Sequence, residues 1–384
     1  MDNTPDLLHN TITGLQPEKS NILVTGGAGF IGSNFIRYVY EKTDFCGTIV
    51  NYDKLTYAGN LLNLDDIAKK FGGKTYFFER GDVRDYDKTR ETIRKYGISI
   101  IVHFAAESHV DRSIFGPKDF IETNINGTFS LLEAARQLWV GREDVRFHHI
   151  STDEVYGSLG DTGYFTETTP YDPRSPYSAS KAGADHIVRS YYHTYGLPVT
   201  LSNCSNNYGP RHFPEKLIPL MILNAIEGKS LPVYGDGGNV RDWLYVDDHC
   251  DAVWLILKRG KKGETYNIGG ECEKKNIDAV RGICEMLEVL YPIKDNPYLR
   301  KVARSINRYS DLITFVADRP GHDRRYAINC DKIKNELGWL QKHSFDEGLR
   351  YTITWYLKNR EWVEQVRSGE YSTWIEKNYT TRKA

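Results

Sequence analysis

The sequence is poor in cysteine, and its cysteines are not arranged as metal ligands. Six cysteines occur among 384 residues, at positions 46, 204, 250, 272, 284 and 330. No two of them form a Cys-x-x-Cys pair, and no histidine cluster lies beside them at zinc-ligand spacing, so the sequence predicts no metal site. Scattered thiols in a chain of this length are typical of reduced cysteines in a cytoplasmic protein.

The chain also lacks an excess of charge of either sign and lacks a long apolar run. Lys plus Arg number 50 and Asp plus Glu number 51, so the formal net charge is −1. A near-neutral balance argues against a general nucleic-acid partner. No apolar run approaches the roughly 18 residues of a membrane-spanning helix. Residues 1–20 lack the central apolar stretch that is typical of a signal peptide, and we expect them to form a flexible tail.

From Asn21 onward, short apolar runs alternate with longer amphipathic stretches. This alternation predicts an α/β fold with a doubly wound, parallel Rossmann sheet covered by helices on both faces. The predicted strands are 21–25, 48–53, 74–79, 99–104, 146–151 and 198–203. The clearest predicted helices are 30–42, 86–96, 119–138 and 178–195.

After residue 206 the pattern becomes richer in loops and short strands, which indicates a second, smaller domain. We expect a Rossmann domain over 21–206, to which 241–268 returns. The remaining segments, 207–240 and 269–384, are assigned to a smaller α+β substrate-binding domain. The polar end, 376–384, is expected to fray.

A glycine-rich turn after the first strand indicates a dinucleotide site. Gly26, Gly29 and Gly32 have the spacing that permits a tight turn, a close approach to a pyrophosphate and close packing of the next helix. Asp53 ends the second strand, 53 − 32 = 21 residues beyond the last glycine, near the ~20 expected for the acid that binds a ribose 2′-hydroxyl. A carboxylate repels a 2′-phosphate, so NAD is favoured over NADP, although Lys54 softens that preference.

Two further motifs carry the candidate catalytic groups. Tyr177 and Lys181 lie four residues apart in a predicted helix and therefore on one helix face. A nearby lysine cation and the nicotinamide charge would favour the tyrosine phenolate. Thr152, Asp153 and Glu154 follow the fifth strand, at the sheet edge where ligands bind. Two adjacent carboxyl groups can serve as one acid and one base if their pKa values differ.

In combination these motifs resemble the extended short-chain dehydrogenase/reductase superfamily and, within it, the dTDP-glucose 4,6-dehydratases. The resemblance extends from about Asn21 to beyond Tyr326. It is strengthened by the stretches 53–60, 105–113, 206–210, 239–243 and 318–323. Its most specific element is the Asp153–Glu154 pair, because the sister epimerases and decarboxylases lack the aspartate. The tail 1–20 and a long basic stretch at 291–309 depart from the family pattern.

The resemblance implies an NAD-dependent loss of water from a nucleotide hexose. Tyr177 with Thr152 would remove the proton of the 4-hydroxyl while hydride passes from C4 to NAD. Glu154 would then take the proton from C5, and protonated Asp153 would protonate the departing 6-hydroxyl. Hydride would return to C6 and yield a nucleotide 4-keto-6-deoxyhexose.

The resemblance also implies binding residues. Cofactor contacts are expected from Gly26, Gly29, Phe30, Ile31, Gly32, Asp53, Lys54, Thr56, Asp82, Val83, Phe104, Ala105, Ala106, Ser108, Thr123, Tyr177, Lys181 and Asn206. Substrate contacts are expected from Ser108, Thr152, Asn207, Lys216, Leu217, Pro232, Tyr234, Arg241, Asn276, Asp318 and His322. Asp82 could instead cap its own loop, and Arg241 could pair with a surface carboxylate. Cys204 is interpreted as a packing residue, because no base is evident beside it.

Other functions remain open at this point. A UDP-glucose 4,6-dehydratase differs in nucleobase by one methyl group, which is a small discriminator of about 1–3 kcal/mol. A nucleotide-sugar 4-epimerase would share the glycine and Tyr/Lys motifs, but not Asp153. A non-catalytic NAD-binding regulator would be expected to lack the catalytic groups. By resemblance we also expect a homodimer formed through the helices 119–138 and 178–195.

Overall fold

The computed structural model describes residues 15–302, 306–318 and 322–367, without the side chains of 300–302. Twelve strands lie in these residues. They are β1 Asn21–Thr25, β2 Thr48–Asp53, β3 Tyr76–Arg80, β4 Ile100–His103, β5 Arg146–Thr152, β6 Val199–Cys204, β7 Asn206–Tyr208, β8 Leu231–Tyr234, β9 Val240–Tyr245, β10 Thr265–Ile268, β11 Glu273–Lys275 and β12 Ile313–Val316.

Fourteen α-helices accompany the strands in the same part of the chain. They are α1 Phe30–Lys42, α2 Asp65–Phe71, α3 Tyr86–Lys95, α4 Val110–Phe115, α5 Pro117–Phe120, α6 Thr128–Leu138, α7 Pro176–Tyr195, α8 Leu217–Ile226, α9 Val246–Arg259, α10 Asn276–Leu290, α11 Pro297–Val302, α12 Asp331–Leu337, α13 Phe345–Lys358 and α14 Arg360–Arg367. Among the described residues, no helix has both the length and the apolar character needed to span a membrane.

Seven parallel strands form the central sheet, in the order β10-β6-β5-β4-β1-β2-β3. This confirms the predicted doubly wound α/β fold. The chain reverses direction across the sheet between β1 and β4, and at such a switch point the carboxyl ends of the strands leave a crevice for ligands. The strand β4 and nearly all of β1 are buried, since helices cover both faces of the sheet.

Two small sheets lie beyond the central one. One has the order β11-β9-β7, and the other pairs β12 with β8. The strand β9 pairs parallel with β7 and antiparallel with β11. The helices α8, α10 and α13 pack near these sheets and form a second hydrophobic core with Tyr208, Trp243 and Tyr245.

The sequence predicts that the whole segment after residue 268 belongs to the smaller domain. In the structure, part of this segment packs outside the second core. Ile328, Ile333 and Leu337 pack in the same core as the buried residues of β1, α1 and α9. The helix α12 contacts β10 and α9. Its buried side chains therefore cover the far edge of the central sheet.

The expected flexible tail is wrong for residues 15–20, and residues 1–14 lie outside the described residues. Leu15 is buried, and Pro17–Lys19 forms a short 3-10 helix. The amide of Cys46 donates to the carbonyl of Glu18 at 2.8 Å. Backbone hydrogen bonding beside the start of β2 thus fixes this segment. The predicted fraying of 376–384 also lies outside the described residues.

One predicted helix is interrupted at a position that matters for the site. The stretch 119–138 contains α5, a π-helical segment Ile121–Gly127 and α6. A π-helical segment is a wider turn of the kind often found at functional sites. Asn124 in it accepts from the amide of Glu107 at 2.9 Å and donates to Ser180 Oγ at 2.8 Å. It thereby joins the loop after β4 to α7.

Candidate active site

A cavity of about 370 Å³ lies along the carboxyl edge of the central sheet. Its wall contains every residue that the sequence nominates for catalysis and every residue that it nominates for the cofactor. These residues lie at or after the ends of the first six strands, at the starts of α1 and α7, and in the π-helical segment. The fold therefore brings together side chains that are as far apart in sequence as Gly26 and Asn206.

The glycine-rich turn is packed too closely for side chains. Gly26 has a φ of +68°, and a Cβ there would lie 2.7 Å from the amide nitrogen of Ala105. A Cβ on Gly32 would lie 2.3 Å from the carbonyl oxygen of Gly26. Because Gly29 is the N-cap residue of α1 and has no side chain, the first amides of that helix remain available to phosphate oxygens.

Asp53 is fixed at the end of β2 by two backbone amides. Its carboxylate accepts from Ala28 at 3.0 Å and from Leu55 at 2.8 Å. Burial raises the pKa of Asp53, although these two hydrogen bonds oppose the shift. Its remaining acceptor positions can bind the hydroxyls of a ribose, so the glycine turn and Asp53 together fit a dinucleotide such as NAD.

Asp82 both lines the cavity and caps its own loop. Its Oδ1 accepts from the amide of Arg84 at 3.0 Å, and its Oδ2 lies 2.8 Å from Lys54 Nζ. Burial alone would raise its pKa, but the hydrogen bonds from Arg84 and Lys54 outweigh burial, and its pKa lies below its ordinary value. Lys54 is therefore neutralised locally by a carboxylate, which reduces its ability to attract a 2′-phosphate.

The acidic pair lies where β5 ends in a short 3-10 turn, Asp153–Tyr156. Asp153 is 2% exposed, and its Oδ1 accepts from Thr152 Oγ1 at 3.3 Å. Its Oδ2 is buried and has no hydrogen-bond partner among the described residues. Burial, and then the charge of Glu154, raise the pKa of Asp153 well above its ordinary value. Burial thus favours the protonated form of Asp153, the form that can donate a proton.

Tyr177 is buried at the start of α7, where Ser175 caps the helix. Burial and the charge of Glu154 raise the pKa of Tyr177 well above its ordinary value, while a hydrogen bond with Thr152 opposes this shift. In the chain by itself, burial thus opposes the phenolate form of Tyr177. The predicted phenolate depends on the nicotinamide charge as well as on Lys181, and it stays a prediction.

Lys181 is anchored beneath the cavity. Its Nζ donates to the carbonyl of Ile150 at 2.7 Å and lies 3.5 Å from His149 Nε2. Burial lowers the pKa of Lys181, and the charge of Asp185 on the same helix opposes this shift. The lysine is therefore a fixed group in a cavity wall with a carboxylate close by.

The predicted substrate residues divide into two groups. Five of them line the cavity, namely Ser108, Thr152, Asn207, Lys216 and Leu217. The others are absent from its wall, namely Pro232, Tyr234, Arg241, Asn276, Asp318 and His322. Arg241 still acts on the site, since its charge lowers the pKa of Asp153. Its guanidinium stacks 4.3 Å from the Tyr326 ring and donates to the carbonyl of Asp323.

Three of the residues outside the wall form a cluster of their own. His322 Nδ1 lies 2.6 Å from Asp318 Oδ1, and the rings of His322 and Tyr234 meet edge to face at 6.1 Å. The hydroxyl of Tyr234 donates to Asp111 Oδ2 at 3.4 Å. Because Asp111 belongs to α4, directly after the loop of Ser108, this cluster lies on the side of the cavity that Ser108 and Lys216 face.

The neighbouring asparagines Asn206 and Asn207 differ in their hydrogen bonds. Asn207 Oδ1 lies 2.9 Å from His249 Nδ1, and Asn207 Nδ2 donates to the carbonyl of Ser205 at 2.9 Å. Asn206 Oδ1 is buried without a partner among the described residues. Cys204 is a packing residue, since burial raises its pKa to about 12.

Sequence reasoning missed several residues of the cavity wall, among them His212, Phe213, Glu215 and Trp243. Two signals could have identified them. The first three lie between two predicted binding residues, Asn207 and Lys216. Trp243 lies two positions beyond Arg241 in β9, and residues two apart in a strand share a face.

The comparisons with known proteins agree with this geometry. The model of the GDP-mannose 4,6 dehydratase family matches residues 23–352. The dTDP-glucose 4,6-dehydratase of Escherichia coli is 54% identical over 376 residues, with 94% of this chain and 99% of the relative covered. The chain belongs to the dTDP-glucose 4,6-dehydratase family.

Solved structures place this family in the fold described above. The Streptomyces venezuelae dTDP-glucose 4,6-dehydratase with NAD bound has a TM-score of 0.80 and 44% identity, covering 90% of this chain and 99% of that one. A UDP-glucose 4-epimerase of Thermotoga maritima has a TM-score of 0.74 but only 26% identity, covering 88% of this chain and 99% of that one. The dehydratase and the epimerase thus share a scaffold, and the identity favours the dehydratase.

Proposed function

We propose that this protein converts dTDP-glucose to dTDP-4-keto-6-deoxyglucose with NAD as a bound cofactor. The observation that carries the proposal is the position of Asp153, buried beside Glu154 in the wall of a cavity that fits a dinucleotide, where burial raises its pKa. Elimination of water requires both an acid and a base, whereas epimerisation at C4 does not. The same observation therefore separates the proposal from a 4-epimerase.

The cofactor would lie with its pyrophosphate over Gly26 and Gly29 and its adenosine ribose at Asp53. When bound, NAD accepts a hydride from C4 of the hexose and supplies it again to C6. The chain's task is to hold the hexose against the cofactor and to move protons at the hydroxyls. We assign the cofactor to the segments 21–206 and 241–268, and the nucleotide sugar to 207–240 and 269–384.

Tyr177 and Thr152 act first in the proposed sequence of proton transfers. Tyr177 takes the proton of the hexose 4-hydroxyl, which Thr152 orients through its own hydroxyl. Burial and then the charge of Glu154 raise the pKa of Tyr177 in the chain alone, and the positive charge of a bound oxidised nicotinamide would lower it for this step. Lys181 adds a second positive charge from below.

Glu154 and Asp153 then perform the elimination. The ketone at C4 acidifies the proton on C5, which Glu154 removes. Asp153 donates its proton to the 6-hydroxyl, the C6–O bond breaks and water leaves. The proton taken by Glu154 returns to C5 as hydride reaches C6. Tyr177 has then gained one proton and Asp153 has lost one, so passage of one proton from Tyr177 to Asp153, directly or through solvent, restores both groups for the next turnover.

We assign the nucleotide part of the substrate to the wall formed by Ser108, Lys216 and Leu217. Lys216 Nζ donates to the carbonyl of Ser108 at 2.9 Å, which joins α8 to the loop after β4. The cluster of Tyr234, Asp318 and His322, together with Pro232 and Asn276, would contact the base and the diphosphate. Arg241 offers a guanidinium whose geometry matches phosphate oxygens.

We also propose that the protein is a cytoplasmic homodimer. The helices α4 and α6 and the π-helical segment expose large apolar side chains at Phe115, Ile121 and Phe129, of the kind that homodimer interfaces bury. All six cysteines are free thiols. Cys204 and three other cysteines lie in the hydrophobic cores. Sedimentation of a species of twice 44.1 kDa would support the dimer, and a single 44.1 kDa species would refute it.

The experiment that tests the function is incubation of purified protein with dTDP-glucose and, separately, with UDP-glucose. We expect loss of one water from dTDP-glucose by mass spectrometry, with dTDP-glucose preferred by kcat/KM. The double variant Asp153→Asn/Glu154→Gln controls for contaminating activity. A C4 epimer of unchanged mass would refute the proposal. Faster turnover of UDP-glucose than of dTDP-glucose would show that UDP-glucose is the substrate.

A further inference from the structure

A loop that the proposed mechanism does not use covers part of the cofactor cavity. It comprises residues 209–215, in the connection between β7 and α8, and is called here the cover loop. Its residues His212, Phe213 and Glu215 line the cavity together with the cofactor residues of the glycine-rich turn. Arg211 in this loop has a φ of +68°, a conformation that a non-glycine residue keeps only when its surroundings enforce it.

On one side the cover loop is attached to the start of α1. The ring of His212 stacks on the ring of Phe30, with centroids 4.1 Å apart and an interplanar angle of 13°. Asn34, one turn further along α1, donates from Nδ2 to the carbonyl of Pro210 at 3.0 Å. Phe30 is the first residue of the helix whose amides face the pyrophosphate, so this contact lies at the phosphate end of the cavity.

On the other side the cover loop is attached to the segment that follows Asp53. The ring of Phe213 meets the ring of Tyr57 edge to face at 5.4 Å. Arg112 lies 3.8 Å from the centre of the Tyr57 ring, and its Nε donates to Glu215 Oε2 at 3.1 Å. The loop thus spans the cavity from the glycine-rich turn to the ribose-binding strand.

His212 is the central residue of this attachment. Its Nδ1 is buried without a hydrogen-bond partner among the described residues. Burial and then the charge of Lys216 lower its pKa well below the ordinary value. The ring is therefore neutral, and it can stack on Phe30 without the penalty of a buried charge.

We infer that the stack of His212 on Phe30 retains the cofactor by closing the cover loop over it. The inference rests on the proposed function, in which the hydride removed from C4 must return to C6 within the same turnover. An enzyme that released its cofactor between these two steps would be left with an oxidised sugar and no hydride. A stack on the helix that carries the phosphate site opposes that release.

The test measures the rate at which isotopically labelled NAD replaces bound NAD in the purified holoenzyme. His212→Ala should exchange the cofactor about tenfold faster than the wild type, the upper range for loss of one aromatic pair. His212→Phe keeps the stack and loses Nδ1, and should exchange within about twofold of the wild type. Activity that His212→Ala loses on desalting should return with excess NAD.

A matched control lies further along the same helix. Tyr40 of α1 stacks on Phe71 at 4.4 Å and 14°, and neither residue lines the cavity. Phe71→Ala removes a stack of equal geometry and should leave NAD exchange unchanged. If His212→Ala does not fold, Phe30→Leu removes the same stack from the other side and should also accelerate exchange.

Three results would overturn the inference. They are wild-type exchange in His212→Ala, equally fast exchange in Phe71→Ala, and exchange in His212→Phe as fast as in His212→Ala. These results are distinct from failure of the proposed function. A wild type that retains NAD but does not dehydrate dTDP-glucose refutes the function alone, whereas normal dehydration with unchanged exchange in His212→Ala refutes only the inference.

Discussion

At the scale of single residues, the cofactor site depends on glycines, which have no side chain. Gly32 lies where the first turn of α1 passes the carbonyl of Gly26, and a Cβ there would come within 2.3 Å of that oxygen. Backbone atoms on both sides leave no flexible group that could move aside. Any side chain must therefore displace the helix from the sheet or the turn from the phosphate site.

We predict that Gly32→Ala lowers the free energy of unfolding by roughly 1–3 kcal/mol and weakens NAD binding. Titration calorimetry and thermal unfolding would measure the two effects. Gly282→Ala is the matched control, because Gly282 lies inside α10 and its nearest neighbouring atom would be 4.0 Å from the added Cβ. That change should stabilise the protein by about 0.5–1 kcal/mol. Equal NAD affinity in both variants would contradict the prediction.

Asp153 provides a second residue-scale prediction. Asp153→Asn keeps the shape of the side chain but removes the proton that the departing 6-hydroxyl needs. We expect kcat to fall by about 10²–10⁴, with reduced cofactor accumulating because C4 oxidation still proceeds. Stopped-flow absorbance and product mass would record both effects. Asp172→Asn, a change at an exposed partner of Arg174, should be neutral. An unchanged kcat, or loss of C4 oxidation without accumulation of reduced cofactor, would contradict the assigned roles.

At the scale of elements, the start of α7 places the catalytic tyrosine. Ser175 caps this helix and forms a capping box with Ser178, and Tyr177 follows two residues after the cap. The position of the hydroxyl of Tyr177 thus depends on where the helix begins. The cap contributes both to stability and to the geometry of the cavity.

We predict that Ser175→Ala lowers the free energy of unfolding by about 1 kcal/mol and also lowers kcat. Ser344→Ala removes an equivalent capping box at the start of α13, which carries no residue of the cavity wall. It should lower stability by a similar amount and leave kcat unchanged. Denaturant unfolding and steady-state kinetics on the two variants separate the effects, and an equal kcat loss in both would show that the cap acts through stability alone.

At the scale of the whole molecule, one polar contact joins elements of two of the hydrophobic cores. Asp248 on α9, which packs against α1, lies 2.8 Å from the imidazole Nδ1 of His343 just before α13. The hydrogen bond from Asp248 raises the pKa of His343, although burial opposes the shift. This contact therefore joins an element of the larger core to one of the second core.

The sign of its pH dependence follows from the raised pKa. The stabilisation by the Asp248–His343 contact is fully present below the pKa of about 6.5 expected for His343 in the unfolded chain. It is lost as the pH rises through the higher pKa of His343 in the folded protein. His343→Asn should therefore lower the free energy of unfolding by about 1 kcal/mol at acidic pH, and by less at alkaline pH. Urea unfolding at two pH values measures this. In an Asp248→Asn background the dependence should become weaker, with only the charges of Asp247 and Glu347 left to raise the pKa of His343, and an undiminished dependence would contradict the assignment.

The sequence by itself determined the central sheet and most of the cofactor site. Apolar runs predict strands wherever a segment is buried on both faces, and the glycine spacing with Asp53 is fixed by local backbone requirements. The structure then places Thr152, Asp153, Glu154, Tyr177 and Lys181 in one cavity wall, as the order of parallel strands dictates. These features depend on near neighbours in sequence, so their pattern can be read from the chain.

Only the tertiary structure decided which distant segments meet. No local pattern tells that His212 stacks on Phe30, that Arg112 joins Tyr57 to Glu215, or that α12 packs in the larger core. The fold also sets the direction of the Tyr177 pKa shift in the chain alone, because this shift depends on burial and then on the charge of Glu154, which the Tyr177–Lys181 spacing does not show. Contacts and burial depend on which residues lie close together in space. A sequence pattern predicts them only where the partners lie in the same helix or strand.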